Sequence, residues 1–309
     1  MYSDKDYSLY NDIPKEYYNL KEKDFSNWEI PPWDLLIYKE KVLGEGQFGK
    51  VYLADWKKTK VAAKVINKDL PEDKKKLFIR EFDTMTKAHH PNIVQLLGYI
   101  ECPFIIVMEY LENGDLLSYK KKNIVTQKKK RSISLDILRG IAYMHNRRPN
   151  FIIHRDIKSQ NILISPSGRA KIADFGLSKL LNYNCPECPV LNYSPSSEFR
   201  SKLSDYKESE ETELTKDVGT LRYMSPEIKA AKNYDTKTDI WSCGVIFVEL
   251  FEDIRYTDNF IWHYSPYYIR NIIKGHMLRE DPNDRFTALE LITEIERQKQ
   301  TSFFACNCM

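Results

Sequence analysis

The chain has 309 residues, which at about 150 residues per domain gives a first expectation of about two domains. Hydrophobic residues make up 42% and charged residues 29%, a balance that excludes a disordered or fibrous protein. The net charge of +3 is too small to indicate a nucleic-acid partner, and no apolar run approaches the ~18 residues of a membrane span. Because the N-terminus is polar and lacks an apolar signal region, we expect reduced cysteines and a cytoplasmic location, or else a nuclear one.

The first part of the chain predicts a small β-rich unit. Residues 1–27 are polar and rich in tyrosine without a clear period, so we expect an N-terminal extension outside the core. A glycine-rich turn at 44–49 is followed by β-branched and aromatic residues, and 61–66 continues the strand pattern. Apolar residues at helical spacing predict an amphipathic helix over 71–88, and short strands follow as far as 104–108.

The second part predicts a larger helical unit. Beyond Gly114 helical patterns dominate, notably over 135–145 and 240–251, with one strand pair between them. The combination is an α+β protein with a small β-rich lobe, a larger α-rich lobe and a cleft between them. Residues 182–216 are polar and lack a sustained period, so they predict a long loop.

The glycine pattern Gly44-x-Gly46-x-x-Gly49 is weak by itself, because a dinucleotide-binding turn carries the same spacing. A dinucleotide site needs a helix after the third glycine, whereas residues 50–53 continue as a strand. The pattern therefore favours a glycine hairpin whose backbone can fold over phosphates, with an ordinary hairpin as the alternative.

Lys64 and Glu81 are charged residues in otherwise apolar surroundings. Lys64 shares one face of its strand with Ala62 and Ile66, and Glu81 lies in an apolar helical stripe with Leu77 and Met85. Pairing the two would satisfy both charges and place the ammonium group for a phosphate oxygen. The alternative is a lysine that extends to water and an exposed glutamate.

The densest motif is the run from Ile153 to Gly176, which contains His154-Arg-Asp156-Ile-Lys158 and ends in Asp174-Phe-Gly. A Ser-Pro-Ser-Gly turn joins two short strands here, so an antiparallel hairpin would bring Asn161 and Asp174 to the same end. A carboxylate and an amide oxygen without histidine or thiolate suit Mg²⁺ or Mn²⁺ bound with substrate phosphates better than zinc.

These motifs, in their order and spacing from about Trp28 to Arg297, resemble those of the eukaryotic protein kinase family. The resemblance implies a bilobal protein-kinase fold, with a β-rich N-lobe that carries one regulatory helix and a larger α-helical C-lobe. The implied divisions are an extension (1–27), a kinase domain (28–298) with N-lobe about 28–110 and C-lobe about 111–298, a long activation-segment insertion (about 182–216) and a tail (299–309).

The resemblance also implies ATP, Mg²⁺ (or Mn²⁺) and protein substrates. Asp156 would orient the substrate hydroxyl and accept its proton, and Lys158 would steady the moving phosphoryl group. Lys64, paired with Glu81, would hold the α- and β-phosphates, and Thr220 would bond to the catalytic Asp and Lys. Asn161 and Asp174 would hold the metal ion, while the implied nucleotide-binding residues are Leu43, Gly44, Glu45, Gly46, Gly49, Val51, Ala62, Lys64, Met108 (the gatekeeper), Glu109 and Leu111 (in the hinge) and Leu163.

Two further features follow from the resemblance. Met85, Leu96, His154 and Phe175 would stack as an internal spine that aligns the lobes. The tyrosine-kinase-like branch, a mostly Ser/Thr-specific group, is the most similar on the segments 154–161, 171–179 and 219–227. Lys158 and Thr220 favour serine or threonine acceptors, while Tyr223 leaves dual specificity open.

The chain departs from the family in two places. Asp174 to Glu227 spans 54 residues, which is long, and only 43 residues separate Trp241 from Arg285, which is short. The helices that usually follow Phe251 must therefore be trimmed or recast. We still expect an ion pair between Glu227 and Arg285, and support of the catalytic loop by Asp239.

The long segment suggests regulation by phosphorylation. Arg155, beside the catalytic Asp, could pair with an added phosphate dianion and so order the loop. We expect the phosphosite at Thr215, or at Ser209 or Thr212, modified by an upstream kinase or by autophosphorylation. The alternative is an insertion that is constitutively ordered or merely tolerated.

Three other patterns carry less weight. The basic runs at 74–76, 120–122 and 128–131 favour a solvated face over an anionic partner. Cys185 and Cys188 form one Cys-x-x-Cys without a second pair, which argues against zinc. The last four residues from Cys306 have the outline of a prenylation signal, but Asn307 is not aliphatic.

The sequence therefore predicts an active Ser/Thr protein kinase. The alternatives are a pseudokinase that acts as an ATP-binding scaffold, a dual-specificity kinase and, less favoured, a small-molecule kinase. No residue of the catalytic set is missing, which favours the enzyme over the scaffold.

Overall fold

The structure is a computed structural model that describes residues 28–46, 49–66, 81–101, 103–148, 150–182, 221–253 and 262–306. In chain order the strands are β1 (Leu35–Gly46), β2 (Gly49–Trp56), β3 (Thr59–Ile66), β4 (Leu96–Ile100), β5 (Ile105–Glu109), β6 (Asn150–Ile153), β7 (Ile162–Ile164), β8 (Ala170–Ile172) and β9 (Lys179–Asn182). The helices are α1 (81–87), α2 (Leu116–Lys122), α3 (Gln127–Asn146), α4 (Pro226–Lys229), α5 (Lys237–Glu252), α6 (Tyr267–Ile272) and α7 (Ala288–Cys306). Short 3₁₀ turns lie at Pro32–Asp34, Ser159–Asn161 and Pro282–Asp284, and a π-helical turn at Ile273–Met277 extends α6.

The N-lobe is built on one antiparallel sheet with the strand order β1-β2-β3-β5-β4. Alternation along β3 sends Val61 and Ala63 into a small apolar cluster on one face and Ala62 into the main core on the other. Helix α1 covers this second face with buried Phe82 and Met85. Of the predicted helix 71–88, residues 81–87 are helical, the helix ends one residue before the predicted Ala88, and residues 71–80 lie outside the described residues.

The glycine-rich segment forms the predicted hairpin between β1 and β2. Gly44 pairs with Val51, and Gly46 pairs with Gly49. A side chain at Gly49 would collide with the backbone oxygen of Val65 on β3, so the close approach of these strands requires glycine there. The third glycine therefore serves sheet packing, as well as the hairpin.

The C-lobe is organised around helix α5, in which every residue from Thr238 to Glu252 is buried. Helix α3 packs against α5, β6, β8 and α7, so the helical predictions for 135–145 and 240–251 hold, although both helices are longer than predicted. Thr126 caps α3 by accepting a hydrogen bond from the Lys129 N–H, which explains its earlier start.

The prediction of a single strand pair between these helices was wrong. Two pairs are present: β7 with β8, as expected from the turn between them, and β6 with β9. The second pair joins residues 150–153 to 179–182, a separation that no local turn signal could reveal. Among the described residues, no helix is both long enough and apolar enough to span a membrane.

Candidate active site

Lys64 of β3 and Glu81 of α1 form a buried ion pair. The Lys64 ammonium lies 2.7 Å from each carboxylate oxygen of Glu81, and the two residues are 8% and 1% exposed. The same ammonium donates to Oδ1 of Asp174 at 3.0 Å. Burial alone would lower the pKa of Lys64, but the carboxylates of Asp174 and Glu81 raise it, so the ammonium stays charged.

Asp174 follows β8 and is placed by the β7–β8 hairpin. Its backbone is left-handed, with φ at 64°, and the preceding Ala173 N–H donates to the Asn161 carbonyl oxygen at 2.8 Å. Asn161 and Asp174 are therefore brought to the same end of the hairpin, as the sequence predicts. Burial would raise the pKa of Asp174, but the Lys64 ammonium lowers it to about 2, so this carboxylate is ionised at neutral pH.

Asp156, Lys158 and Asn161 converge in the loop between β6 and β7. The Lys158 ammonium lies 2.8 Å from Asp156 Oδ2, and Asn161 Nδ2 donates to the same oxygen at 3.0 Å and to the Asp156 carbonyl at 2.8 Å. The other carboxylate oxygen, Oδ1, is buried and has no hydrogen-bond partner within the described residues. Burial raises the pKa of Asp156, although Lys158 acts in the opposite direction.

Asp239 of α5 stabilises the loop that carries Asp156. The carboxylate of Asp239 accepts backbone hydrogen bonds from His154 and Arg155, both at 2.9 Å, and lies 2.8 Å from His145 Nε2. Arg155 has a left-handed backbone with φ at 65°, a conformation that costs about 1 kcal/mol or more and needs such support. The expected role of Asp239 is therefore visible as three direct contacts.

The four residues of the expected spine are all buried in the main core. Met85 and Leu96 lie in the N-lobe, and His154 and Phe175 lie below them with ring centroids 5.0 Å apart. His154 Nε2 also contacts the Ala173 carbonyl at 3.1 Å, which ties the ring to the strand end before Asp174. Apolar packing therefore runs from α1 to the catalytic loop.

The residues expected around adenine lie in the main core or pack against it. Ala62 pairs with Met108 across β3 and β5, and both are at most 9% exposed, while Leu111 is also buried. Val51 and Leu163 are partly buried against the same core. In the hinge, the Glu109 N–H is already bonded to the Gln95 carbonyl at 3.0 Å, and its carboxylate accepts from Lys171 at 2.5 Å, which holds it against the C-lobe.

The glycine-loop residues are more exposed. Leu43 is 43% exposed, and Glu45 forms an exposed ion pair with Lys50 at 3.1 Å, which contributes little to stability. Gly44, Gly46 and Gly49 lie on the hairpin described above. A side chain at Gly44 or Gly46 would meet no atom of the described residues within 4 Å, so there is open space beside this part of the hairpin.

A buried acidic centre that the sequence analysis missed lies beneath the catalytic loop. Glu249 of α5 is 3% exposed, and its Oε2 accepts hydrogen bonds from Ser159 Oγ at 2.6 Å and from Tyr223 Oη at 2.7 Å. It thereby links the loop between Lys158 and Asn161 to the segment before α4. In the sequence, Glu249 is the one charged residue in the apolar stretch 244–251, but no local pattern indicates which groups it would bind.

The expected ion pair of the C-lobe is present. Arg285 is fully buried, and its guanidinium donates to both carboxylate oxygens of Glu227, at 2.7 and 2.8 Å. Arg285 also lies over the ring of Trp241, with its Cζ 5.2 Å from the centroid. The pair fixes α4 against the turn that precedes α7.

Several expectations fall outside the described residues. These are Thr220, the proposed phosphosites Ser209, Thr212 and Thr215, the Cys185/Cys188 pair and most of the loop 182–216. The basic run 128–131 is described, and three of its side chains donate to backbone carbonyls: Lys129 to Gly168, Lys130 to Phe251 and Arg131 to Ile295. These side chains thus connect the start of α3 to the β7–β8 turn, the end of α5 and α7.

The chemistry of the donor set fits a divalent cation bound together with phosphates. Asn161 commits its amide nitrogen to Asp156, so its amide oxygen is the atom that can turn to a cation. Asp174 supplies an ionised carboxylate whose side chain is 43% exposed, beside the Lys64 ammonium. Oxygen donors of this type suit Mg²⁺ or Mn²⁺.

Comparison with known proteins agrees with this geometry. The protein kinase domain model matches residues 37–259. The serine/threonine-protein kinase VIK of Arabidopsis thaliana is 33% identical over 302 residues, covering 89% of this chain and 63% of the relative. The Arabidopsis serine/threonine-protein kinase CTR1 is 34% identical (71% of this chain, 24% of the relative), and the human tyrosine-protein kinase TXK is 32% identical (74% and 38%).

The chain thus spans less than two thirds of each of these relatives. The matched segment nevertheless includes the glycine hairpin, the Lys64–Glu81 pair, the catalytic loop and α5. A family match over this range, together with these contacts, identifies the fold as that of a protein kinase domain. The chain therefore belongs to the eukaryotic protein kinase family, with relatives in its tyrosine-kinase-like branch.

Proposed function

We propose that this chain is a serine/threonine protein kinase that transfers the γ-phosphate of ATP to hydroxyl groups of proteins, with Mg²⁺, or else Mn²⁺, as the metal. The observation that carries the proposal is the buried Oδ1 of Asp156, which has no hydrogen-bond partner among the described residues and is held beside Lys158 and Asn161. A buried carboxylate oxygen without a donor is costly unless the site uses it. A substrate hydroxyl is a donor of the right kind.

In this mechanism the chain's own residues position the reactants. Asp156 Oδ1 accepts the hydrogen bond of the substrate hydroxyl and then its proton, while the hydroxyl oxygen forms a bond to the γ-phosphorus. The bond from that phosphorus to the β–γ bridging oxygen breaks, and ADP leaves with the electron pair. Lys158 lies 2.8 Å from the same aspartate, close enough to offset negative charge on the moving group.

Lys64 has a separate task on the nucleotide. Its ammonium is kept charged by Glu81 and Asp174, and its position below the glycine hairpin suits the α- and β-phosphates. Asn161 and Asp174 would hold the metal ion, which when bound offsets phosphate charge and orients the phosphates. Preorganised charge of this kind supplies most of the rate in phosphoryl transfer.

The acceptor preference rests on sequence and on relatives. Lys158 and Thr220 favour serine and threonine, and two of the relatives named above are called serine/threonine kinases. Dual specificity is the second candidate, because the relatives also include a protein named as a tyrosine kinase at 32% identity. Phosphoamino-acid analysis separates the two, since phosphotyrosine on a mixed substrate would establish dual specificity.

The experiment is transfer of labelled phosphate from Mg²⁺-ATP to a generic protein substrate, with wild type beside Asp156→Asn and Lys64→Met. We expect transfer by wild type and a loss of at least about 100-fold in each variant. Lys60→Met, at an exposed position of the same strand β3, is the matched control and should keep wild-type activity. Nucleotide binding without transfer by wild type would instead support the ATP-binding scaffold.

We propose further that the kinase domain extends over 28–298, beyond the matched range, and that residues 1–27 and 299–309 flank it. Phosphorylation at Thr215, Ser209 or Thr212, by an upstream kinase or by the chain itself, is proposed as its regulation. Mass spectrometry of active enzyme that finds no phosphate between residues 182 and 220 would refute this. We expect a cytoplasmic, or else nuclear, location, which imaging of a tagged chain would test.

A further inference from the structure

Arg155 connects more of the site than its place beside Asp156 suggests. Its backbone N–H is fixed by Asp239, as described above, so the side chain starts from a fixed point one residue before the catalytic aspartate. Its Nε donates to the Leu177 carbonyl oxygen at 2.6 Å. Leu177 lies three residues after Asp174, so one guanidinium bridges the catalytic loop and the segment that carries the expected metal ligand.

The guanidinium has a second partner on a third element. Its Nη1 donates to the hydroxyl oxygen of Tyr234 at 2.8 Å, and Tyr234 lies in the connection between α4 and α5. This connection is itself anchored, because the next residue, Asp235, accepts the Lys237 N–H at 2.8 Å at the start of α5. The Tyr234 hydroxyl therefore contacts Arg155 from a segment that is itself held by a hydrogen bond.

Among the described residues, both hydrogen-bond partners of this guanidinium are neutral oxygens. A cation that is half-buried in a protein needs acceptors, and an arginine offers five N–H donors in a fixed, planar arrangement. Tyr234 satisfies one of them without bringing a charge. Two neutral acceptors on two separate segments thus hold the Arg155 guanidinium in place.

We propose that Tyr234 is a positioning residue for the kinase reaction, which holds Arg155 and, through it, Asp156 and the Leu177 segment in the form of the enzyme that carries no phosphate. The inference rests on the proposed kinase function. It gives the chain a phosphate-independent basal activity. A phosphate dianion is a stronger hydrogen-bond acceptor for arginine than a phenol. Phosphorylation would therefore replace the Tyr234 contact of an arginine side chain that is already held in place.

The test is a double-mutant cycle on phosphatase-treated, full-length enzyme. The proteins are wild type, Tyr234→Phe, Arg155→Met and the double variant. Tyr267→Phe is the matched control, because it removes the same hydroxyl from a tyrosine that is 76% exposed on α6. For each we would measure kcat, KM for ATP and melting temperature.

We expect Tyr234→Phe to lower kcat about tenfold, with KM for ATP within about twofold of wild type, since a hydrogen bond to a charged group is lost. In the Arg155→Met background the same substitution should have no further effect. The control should match wild type.

Three results would overturn the inference. One is a kcat for Tyr234→Phe within twofold of wild type. Another is an equal loss in the Arg155→Met background. The third is a loss that disappears at low temperature together with a lowered melting temperature, which would indicate a merely structural role. A wild type that transfers no phosphate would overturn the proposed function and the inference with it, whereas the three results above leave the proposed function intact.

Discussion

Glu252, the last residue of α5, binds the backbone of the segment before α6 with its single carboxylate. It is 1% exposed, and its two oxygens accept three backbone N–H groups, from His263 at 2.7 Å and from Tyr264 and Ser265 at 2.9 Å. We predict that this contact holds α6 onto the lobe, and that Glu252→Gln destabilises the protein.

The size of this destabilisation follows from the shift in the pKa of Glu252. Burial would raise the pKa of Glu252, but the hydrogen bonds from 263–265 lower it from 4.5 to about 2. At ~1.4 kcal/mol for each tenfold change in acidity, this corresponds to at most about 3 kcal/mol. Glutamine can still accept hydrogen bonds but carries no charge, so we expect Glu252→Gln to lower the free energy of unfolding by about 2 kcal/mol at pH 7.

The direction of this pKa shift determines how the contribution of Glu252 to the free energy of unfolding changes with pH. The folded pKa lies below the unfolded one, so this contribution is complete above about pH 5 and disappears as the pH falls toward about 2. Urea unfolding of wild type and Glu252→Gln between pH 7 and pH 3 would measure the difference. Glu40→Gln, an exposed carboxylate on β1, is the control and should be within about 0.5 kcal/mol of wild type throughout. A Glu252→Gln cost below 0.5 kcal/mol at pH 7, or one that stays constant down to pH 3, would refute the reasoning.

Three other substitutions test buried contacts of the C-lobe that support the site. Glu227→Gln leaves the buried guanidinium of Arg285 without its counter-charge, and we expect urea unfolding to show a loss of about 3 kcal/mol. Gly140→Ala places a methyl group 2.9 Å from a backbone oxygen and should cost about 1 kcal/mol in the same assay, whereas a gain would contradict the packing. Tyr223→Phe removes a donor from buried Glu249 and should cost about 1.5 kcal/mol, while an unchanged midpoint would argue against that contact.

Much of the catalytic geometry could be predicted because it is encoded locally. The β7–β8 hairpin follows from one turn between two short strands, and it alone brings Asn161 and Asp174 together. The pairing of Lys64 with Glu81 was predictable for another reason. Each charge lies in an apolar stripe, and a buried charge requires a partner.

What escaped prediction depends on contacts between distant segments. Strand β9 has its partner 26 residues away in β6, and Glu249 reaches donors on two separate loops. Tyr234 meets Arg155 across 79 residues. Periodicity identifies which face of an element is buried, but it carries no information about which polar group completes a buried hydrogen bond.

Helix α5 connects the candidate site to the rest of the C-lobe through its buried acidic residues. It is the most deeply buried helix described, yet three of its acids point to three different parts of the lobe: Asp239 to the catalytic loop, Glu249 to Ser159 and Tyr223, and Glu252 to the 263–265 backbone. Each buried carboxylate would be strongly unfavourable without donors, so each one makes its partner segment obligatory. The first two contacts support the catalytic loop, whereas the third holds the segment that leads into α6. Separate acidic residues of one helix therefore support the loop that carries Asp156 and the part of the lobe that follows α5.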